Sequence, residues 1–404
     1  MWNRTSELLA TDNATSYTHN VITNGTLQNV KQNLSVPGGC YVVRFEDMEF
    51  LPWDNPDNIV SAAVEDIARR VKDNLLPIFF LIGWPANVIN MAVFYKQGLK
   101  ERVNLCLFAL SLADELSLIY TMFFYGEQPL HLQFTTKELF GTMMTAMVNN
   151  NLVGFFGFTW VSMVLSAIIA SERCLCVLSP LRFQTLLPTR TMAFIIAALY
   201  LVVLGFYFLV ATRYRIACIF DPASDTVLKT VVASEFYRSH EKLINYLDSF
   251  VYGAGIPGIV IIVVTTTTII TAMKIRQAAA WRAGASSASG SLSSSSSPIS
   301  VREIALTKML VGSSMLFIVC IFPYALFRFA WLFLPEMNTG GRHQNFFLAG
   351  LWILEPFAYV NWSFNIFVYY TMGSHYRETF WSLVGKKKQD NTKKIQSLTK
   401  ATNM

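Results

Sequence analysis

Charge is what this chain is short of. Asp, Glu, Lys and Arg supply 14% of its 404 residues while hydrophobic residues supply 53%, and a water-soluble surface needs more charge than that. Histidine is scarce too, and all five (His19, His131, His240, His343, His375) fall outside the long apolar runs. A metal hydrolase working inside a membrane needs ligands within those runs, so that class is excluded. The first 30 residues lack a basic start followed by an apolar core, and no cleavable signal peptide is expected. There is no internal repeat and no inverted pair of broken apolar segments of the kind transporters carry.

Long uncharged sequence is what the chain has in plenty. Seven stretches, roughly 75–95, 104–125, 143–170, 192–212, 246–273, 307–334 and 346–372, reach the about 20 residues that a helix needs to cross a bilayer core. Helices are the spanning form such lengths allow, because each backbone group must be bonded within its own segment. The fold class expected is an all-α membrane protein, a bundle of seven transmembrane helices.

Orientation follows from sugars and basic residues. The sequons at Asn3, Asn13, Asn24 and Asn33 make sense on a tail that enters the secretory lumen, so the N-terminus is expected outside the cell and the protein at the plasma membrane. Lys and Arg number 18 in the loops then facing inward and 7 in those facing outward, which agrees with the positive-inside bias. Arg69, Arg70 and Lys72, just outside the first span, run against that bias. The expected organisation is a glycosylated tail over 1–73, a bundle over 74–384 and a basic tail over 385–404. Within the bundle, 277–300 is an inner loop whose part 286–300 has ten serines in fifteen positions. It reads as a flexible linker and a phosphorylation target for a kinase. Residues 374–384 read as an amphipathic inner helix lying on membrane lipid through Tyr376, Phe380, Trp381 and Leu383.

Charge inside the spans costs about 2.5–3.5 kcal/mol per residue at mid-bilayer, so each instance needs a reason. Four occur away from the span ends, Asp114, Glu115, Arg328 and Glu355, and the pair Glu172-Arg173 adds to them at the inner edge of span three. Glu115 points about 100° away from Asp114 on their helix and reads as an interface residue.

Four motifs bring these positions together: LSLADELSLIY (110–120), SERCLCVLSPLRF (171–183), CIFPY (320–324) and NIFVYYTMGSHYRETF (365–380). Falling in spans two, three, six and seven, they resemble the rhodopsin-like (class A) G-protein-coupled receptors over all seven spans. NMAVFYKQGLKERVNLCLFALSLADE and EMNTGGRH look like the chemosensory-type receptors of molluscs, with neuropeptide receptors as near neighbours. The resemblance implies a receptor and not an enzyme, an extracellular small-molecule or peptide ligand, and a heterotrimeric G protein as partner. The alternatives are a neuropeptide or hormone receptor of the same fold and, far behind, a secondary transporter or channel. No nucleic-acid partner is expected.

Carried onto this chain, the resemblance makes Arg173 an arginine held by Glu172 and by an acid at the foot of span six. Glu303 stands twenty residues before Pro323, about 30 Å along a helix, and is the acid expected to latch Arg173. The competing reading is that Arg173 snorkels to headgroups. Tyr369 matches a tyrosine that swings inward on activation, although Ile366 stands where the family has proline. Asp114, Ser162, Asn361 and Asn365 match a cluster that binds an allosteric sodium ion, the alternative being a protonated Asp114 without any ion. No other cofactor and no structural metal is expected. Pro257, Met163 and Phe317 match positions that relay ligand binding to span six, and Asn87 matches an asparagine that bonds near Asp114.

Phe155 stands where amine receptors carry an aspartate, and span seven has no lysine for retinal. The ligand residues expected are therefore Asn151, Phe155, Tyr324, Arg328, Glu355 and Tyr359. Arg328 would hold a carboxylate and Glu355 an opposite charge; the competing reading is that Arg328 and Glu355 neutralise each other. The usual cysteine atop span three is absent, and Cys40 and Cys218 are the two expected in the oxidising lumen, so a Cys40–Cys218 disulfide is expected instead.

Overall fold

A computed structural model describes residues 41–43, 58–125, 142–179, 187–221, 226–288, 301–334, 336–337 and 342–385. Seven spans alternate in direction. Span one is α1 (Ala62–Gln97) and span two is α2 (Arg102–Tyr125). Span three begins as α3 (Thr142–Asn149), narrows to a 3-10 segment (Leu152–Gly157) and continues as α4 (Phe158–Leu178). Span four is α5 (Thr189–Ala211). A hairpin of β2 (Tyr214–Asp221) and β3 (Thr226–Ala233) and two short helices, α6 (Glu235–Ser239) and α7 (Glu241–Asn245), lead to span five. That span opens as a π segment (Tyr246–Gly255) and runs on as α8 (Ile256–Ala288). Spans six and seven are α9 (Val301–Trp331) and α10 (Gln344–Met372), and α11 (Ser374–Leu383) closes the fold.

Two expectations about segment shape need correction. Span one begins at Ala62, within the segment expected to be tail, because residues 62–74 carry no helix breaker and their charges pair along one helix: Arg69 and Arg70 both bond Asp66. Span three is not continuous. Asn151, at φ 54, is the one described non-glycine residue with positive φ, a conformation asparagine tolerates, and it turns the chain between α3 and the 3-10 segment.

Six of the helices are long and apolar enough to cross a membrane by composition alone. The seventh, α10, has 29 residues, enough for about 43 Å, and its hydropathy is diluted by Gln344, Asn345, Asn361 and Asn365, all turned into the bundle. Span four shows the opposite pattern. Met192, Ile196, Val203 and Val210 form one inward stripe while Phe194 and Leu201 are about three-quarters exposed, as a helix facing lipid requires.

At the hairpin end, β1 (Tyr41–Val43) adds to β2 in parallel, with Tyr41 beside Ala217 and Val42 beside Cys218. At the other end α11 docks on span one. Tyr376 donates to Asn90 at 2.6 Å and Gln97 reaches the His375 carbonyl at 3.3 Å. Tyr376 is thus buried in the bundle rather than laid on lipid, while Trp381 and Leu383 stay exposed.

Candidate ligand and coupling sites

The hairpin end gathers the expected ligand residues only in part. Arg328, in the last turn of α9, is buried, with its guanidinium carbon 4.6 Å from the Trp331 ring centroid and 5.9 Å from that of Tyr324. Gly253 in the π segment makes the room, since a Cβ there would meet Nη2 at 2.9 Å. Among the described residues no carboxylate pairs with Arg328, and its Nε lacks any hydrogen-bond partner.

Glu355 does not neutralise Arg328, which overturns the competing reading of that pair. Its carboxylate meets Lys72 at 3.7 Å and accepts from Tyr359 at 3.1 Å. The extension of α1 past Leu76 brings Lys72 across to span seven, and that reach is why Glu355 is taken. Phe155 stacks on Tyr120 at 5.2 Å and meets Phe208 edge-on at 4.9 Å, so it cements spans two, three and four. Asn151 is exposed in its turn, and no described contact joins either residue to Arg328.

Mid-bundle, the structure brings Asp114, Ser162 and Asn365 together. Ser162 donates to Asp114 Oδ1 and Asn365 Nδ2 donates to Oδ2 at 3.2 Å. Asn361 contributes its main-chain carbonyl, which accepts from the same Asn365 amide at 3.1 Å. Ser313, which the sequence reading missed, donates to Asn365 Oδ1 at 2.9 Å and adds span six to the network. Asn365 thus turns its amide nitrogen to Asp114 and its oxygen to Ser313. Glu115 is buried against Trp84 of span one, as its angle predicts. Asn87 bonds the Trp362 carbonyl at 2.9 Å rather than Asp114.

The expected relay residues Pro257, Met163 and Phe317 are all buried, and Pro257 has an identifiable consequence. In the π segment the Ile256 N–H bonds the Val251 carbonyl, so the next carbonyl, that of Tyr252, would look to residue 257 for its donor. Proline has none. The Trp160 indole supplies it from span three, at 2.7 Å, and the Tyr252 hydroxyl in turn bonds the Val203 carbonyl at 2.7 Å. Spans three, four and five are therefore tied through one orphaned carbonyl. Trp160→Phe should cost about 1–3 kcal/mol, the penalty for leaving such a group unpaired, read as a lower melting temperature of the purified protein. In a Pro257→Ala background, where residue 257 regains an N–H, the same substitution should cost clearly less; equal cost in both backgrounds would refute the account.

At the α11 end, Arg173 grips Glu172 with both arms of its fork: Nε bonds Oε2, and Nη2 bonds Oε1 at 2.6 Å. Both residues are buried, and Arg102 Nε stands 3.9 Å from the same carboxylate. The expected bridge from Arg173 to Glu303 is not made. Glu303 is exposed in the first turn of α9, and with the guanidinium fork satisfied by Glu172 the two share only the lining of a cavity of about 450 Å³ with Arg102, Lys100, His375 and Tyr376. Tyr369 is fully buried against Phe94 and Tyr376 at 5.5 and 5.8 Å. Its hydroxyl faces Ser313 without closing a hydrogen bond.

The sequons at Asn3, Asn13, Asn24 and Asn33, Cys40, most of the serine-rich loop and the basic tail lie outside the described residues, as does the side chain of Cys218.

A buried polar cluster at mid-depth, a closed arginine–carboxylate clamp at one end and an unpaired arginine at the other define a seven-helix membrane protein of the receptor class. A family model described as 7 transmembrane receptor (rhodopsin family) matches residues 86–369, and the chain belongs to that family. It is a signalling receptor and not an enzyme. No curated protein matches the chain.

Proposed function

We propose that this receptor binds an extracellular ligand carrying a carboxylate, a chemosensory cue or the free C-terminus of a short peptide, and passes the signal to a heterotrimeric G protein. The observation that carries the reading is Arg328, a buried guanidinium with no acidic partner among the described residues. A buried charge left unpaired is costly, and a planar fork stacked on two rings is suited to a bidentate anion.

In this reading the hairpin end lies outside the plasma membrane. A Cys40–Cys218 disulfide ties the glycosylated tail to the hairpin, beside which β1 already lies. The cavity at the α11 end receives the G protein, and the serine-rich loop is open to a kinase and arrestin from the same side. Asp114, Ser162, Asn361 and Asn365 hold a sodium ion in the idle receptor. The ion would screen the buried Asp114 charge, and Ser162 and Asn365 would turn lone pairs toward it.

The test is a second-messenger screen of surface-expressed receptor against peptides, amino acids and environmental extracts. For any agonist found, Arg328→Ala should weaken potency about 30-fold, the loss of a desolvated charge pair. Amidating the agonist's carboxylate should do the same in the wild type and add little in the variant. An agonist whose potency survives Arg328→Ala sinks the assignment.

A further inference from the structure

Lys72 is the most deeply buried cation among the described residues, 1% exposed. Its Nζ stands 3.4 Å from the centroid of the Tyr125 ring, 4.2 Å from that of Trp352 and 3.7 Å from Glu355 Oε2. Three helices meet at that point, since Lys72 comes from span one, Tyr125 from span two, and Trp352 and Glu355 from span seven. The rings are set edge to face at 6.1 Å and so form a corner. Each wall is held from behind: the Trp352 indole donates to Glu65 at 2.6 Å, and the Tyr359 hydroxyl donates to Glu355 at 3.1 Å.

Two π faces and a carboxylate around one ammonium is the arrangement that recognises organic ammonium ions. Here the ammonium belongs to the chain itself. We infer that Tyr125, Trp352 and Glu355 form an ammonium-binding cage that Lys72 fills from within the molecule, and that a ligand bearing a primary or methylated ammonium takes its place when Lys72 withdraws. Asp73 lies 3.2 Å from the same Nζ and Arg69 reaches Asp73 at 3.9 Å, so a displaced lysine has a carboxylate waiting on its own helix. Exchange at the cage would free the outer end of span one from span seven. This site stands on its own geometry and does not depend on what binds Arg328.

Two measurements on the full chain in nanodiscs test it. In the wild type, amine acylation followed by mass spectrometry should modify Lys72 at least about tenfold more slowly than the exposed Lys242, and Glu355→Gln should speed it. Second, Lys72→Ala should leave the cage empty. Titration with tetramethylammonium chloride, against sodium chloride at equal ionic strength, should then raise its melting temperature by a few degrees with saturation. The wild type and Lys72→Ala/Trp352→Leu should show no such rise. If Lys72→Ala does not fold, Lys72→Gln takes its place in the titration. The inference is overturned if Lys72 is acylated as fast as Lys242, or if the folded Lys72 variant responds to tetramethylammonium no more than the double variant does.

Discussion

Glu172→Gln should raise ligand-independent signalling to most of the agonist-stimulated maximum. Both arms of the Arg173 fork end on this one carboxylate, and Arg102 adds a second cationic group at 3.9 Å. Glutamine keeps one oxygen and turns an N–H donor toward a guanidinium that has only donors. Breaking a buried pair from one side costs about 3–5 kcal/mol. If the clamp exists only in the idle arrangement, that cost falls on the idle state alone and moves the equilibrium on the order of a hundredfold or more toward the active one. Nucleotide exchange by a G protein added to membranes, normalised to surface receptor, reads the change. Glu303→Gln should raise the basal rate less than about threefold, because an exposed carboxylate contributes less than about 1 kcal/mol. Basal exchange unchanged in a folded Glu172→Gln receptor removes the clamp from the mechanism. Equal increases in the two variants would restore Glu303 as a cross-span latch.

That contrast also shows what the sequence could and could not carry. The number of spans and the Glu172-Arg173 pair are local properties of the chain, and both are legible in the sequence. Asp114, Ser162 and Asn365 are far apart in sequence, yet the motif resemblance put them in one cluster and the structure joins them. Partners chosen by helix rotation and tilt were not legible: Glu355 lies on the right helix for Arg328 and is taken by Lys72 from span one. A signal for this existed. Arg69, Arg70 and Lys72 offended the positive-inside bias, and each turns out to have an acidic partner, Asp66 for the arginines and Glu355 with Asp73 for the lysine. The Trp160–Tyr252 bond was missed for a different reason. Pro257 marks a missing donor in the sequence, but which carbonyl it orphans depends on whether the preceding turn is α or π, and periodicity does not distinguish these over a single turn.

Asp114→Asn should destabilise the receptor by about 3 kcal/mol or more, for a reason that its neighbours make specific. Asp114 accepts from Ser162 at one oxygen and from the Asn365 amide at the other, and such bonds contribute about 1.5–3 kcal/mol each to an ionised carboxylate. An asparagine at 114 can still accept from Ser162, but its amide then faces the Asn365 amide, donor against donor, in the interior of the bundle. Reversing the pair removes the conflict. In Asp114→Asn/Asn365→Asp the new amide donates to the new carboxylate, Ser162 keeps its acceptor, and Ser313, which donates to Asn365 Oδ1 in the wild type, finds a carboxylate oxygen in its place. Every bond of the network survives, with one charge conserved, except the one from residue 365 to the Asn361 carbonyl. The melting temperature of the double variant should therefore recover most of what Asp114→Asn loses, and a double variant no more stable than the single one would refute the network. Repeating the melts in sodium against choline chloride addresses the ion. The wild type should gain stability in sodium and Asp114→Asn should not, because without the carboxylate the remaining oxygens are neutral and offer a desolvated cation no charge to offset. Equal stability of the wild type in both salts leaves the hydrogen-bonded cluster standing and removes sodium from it.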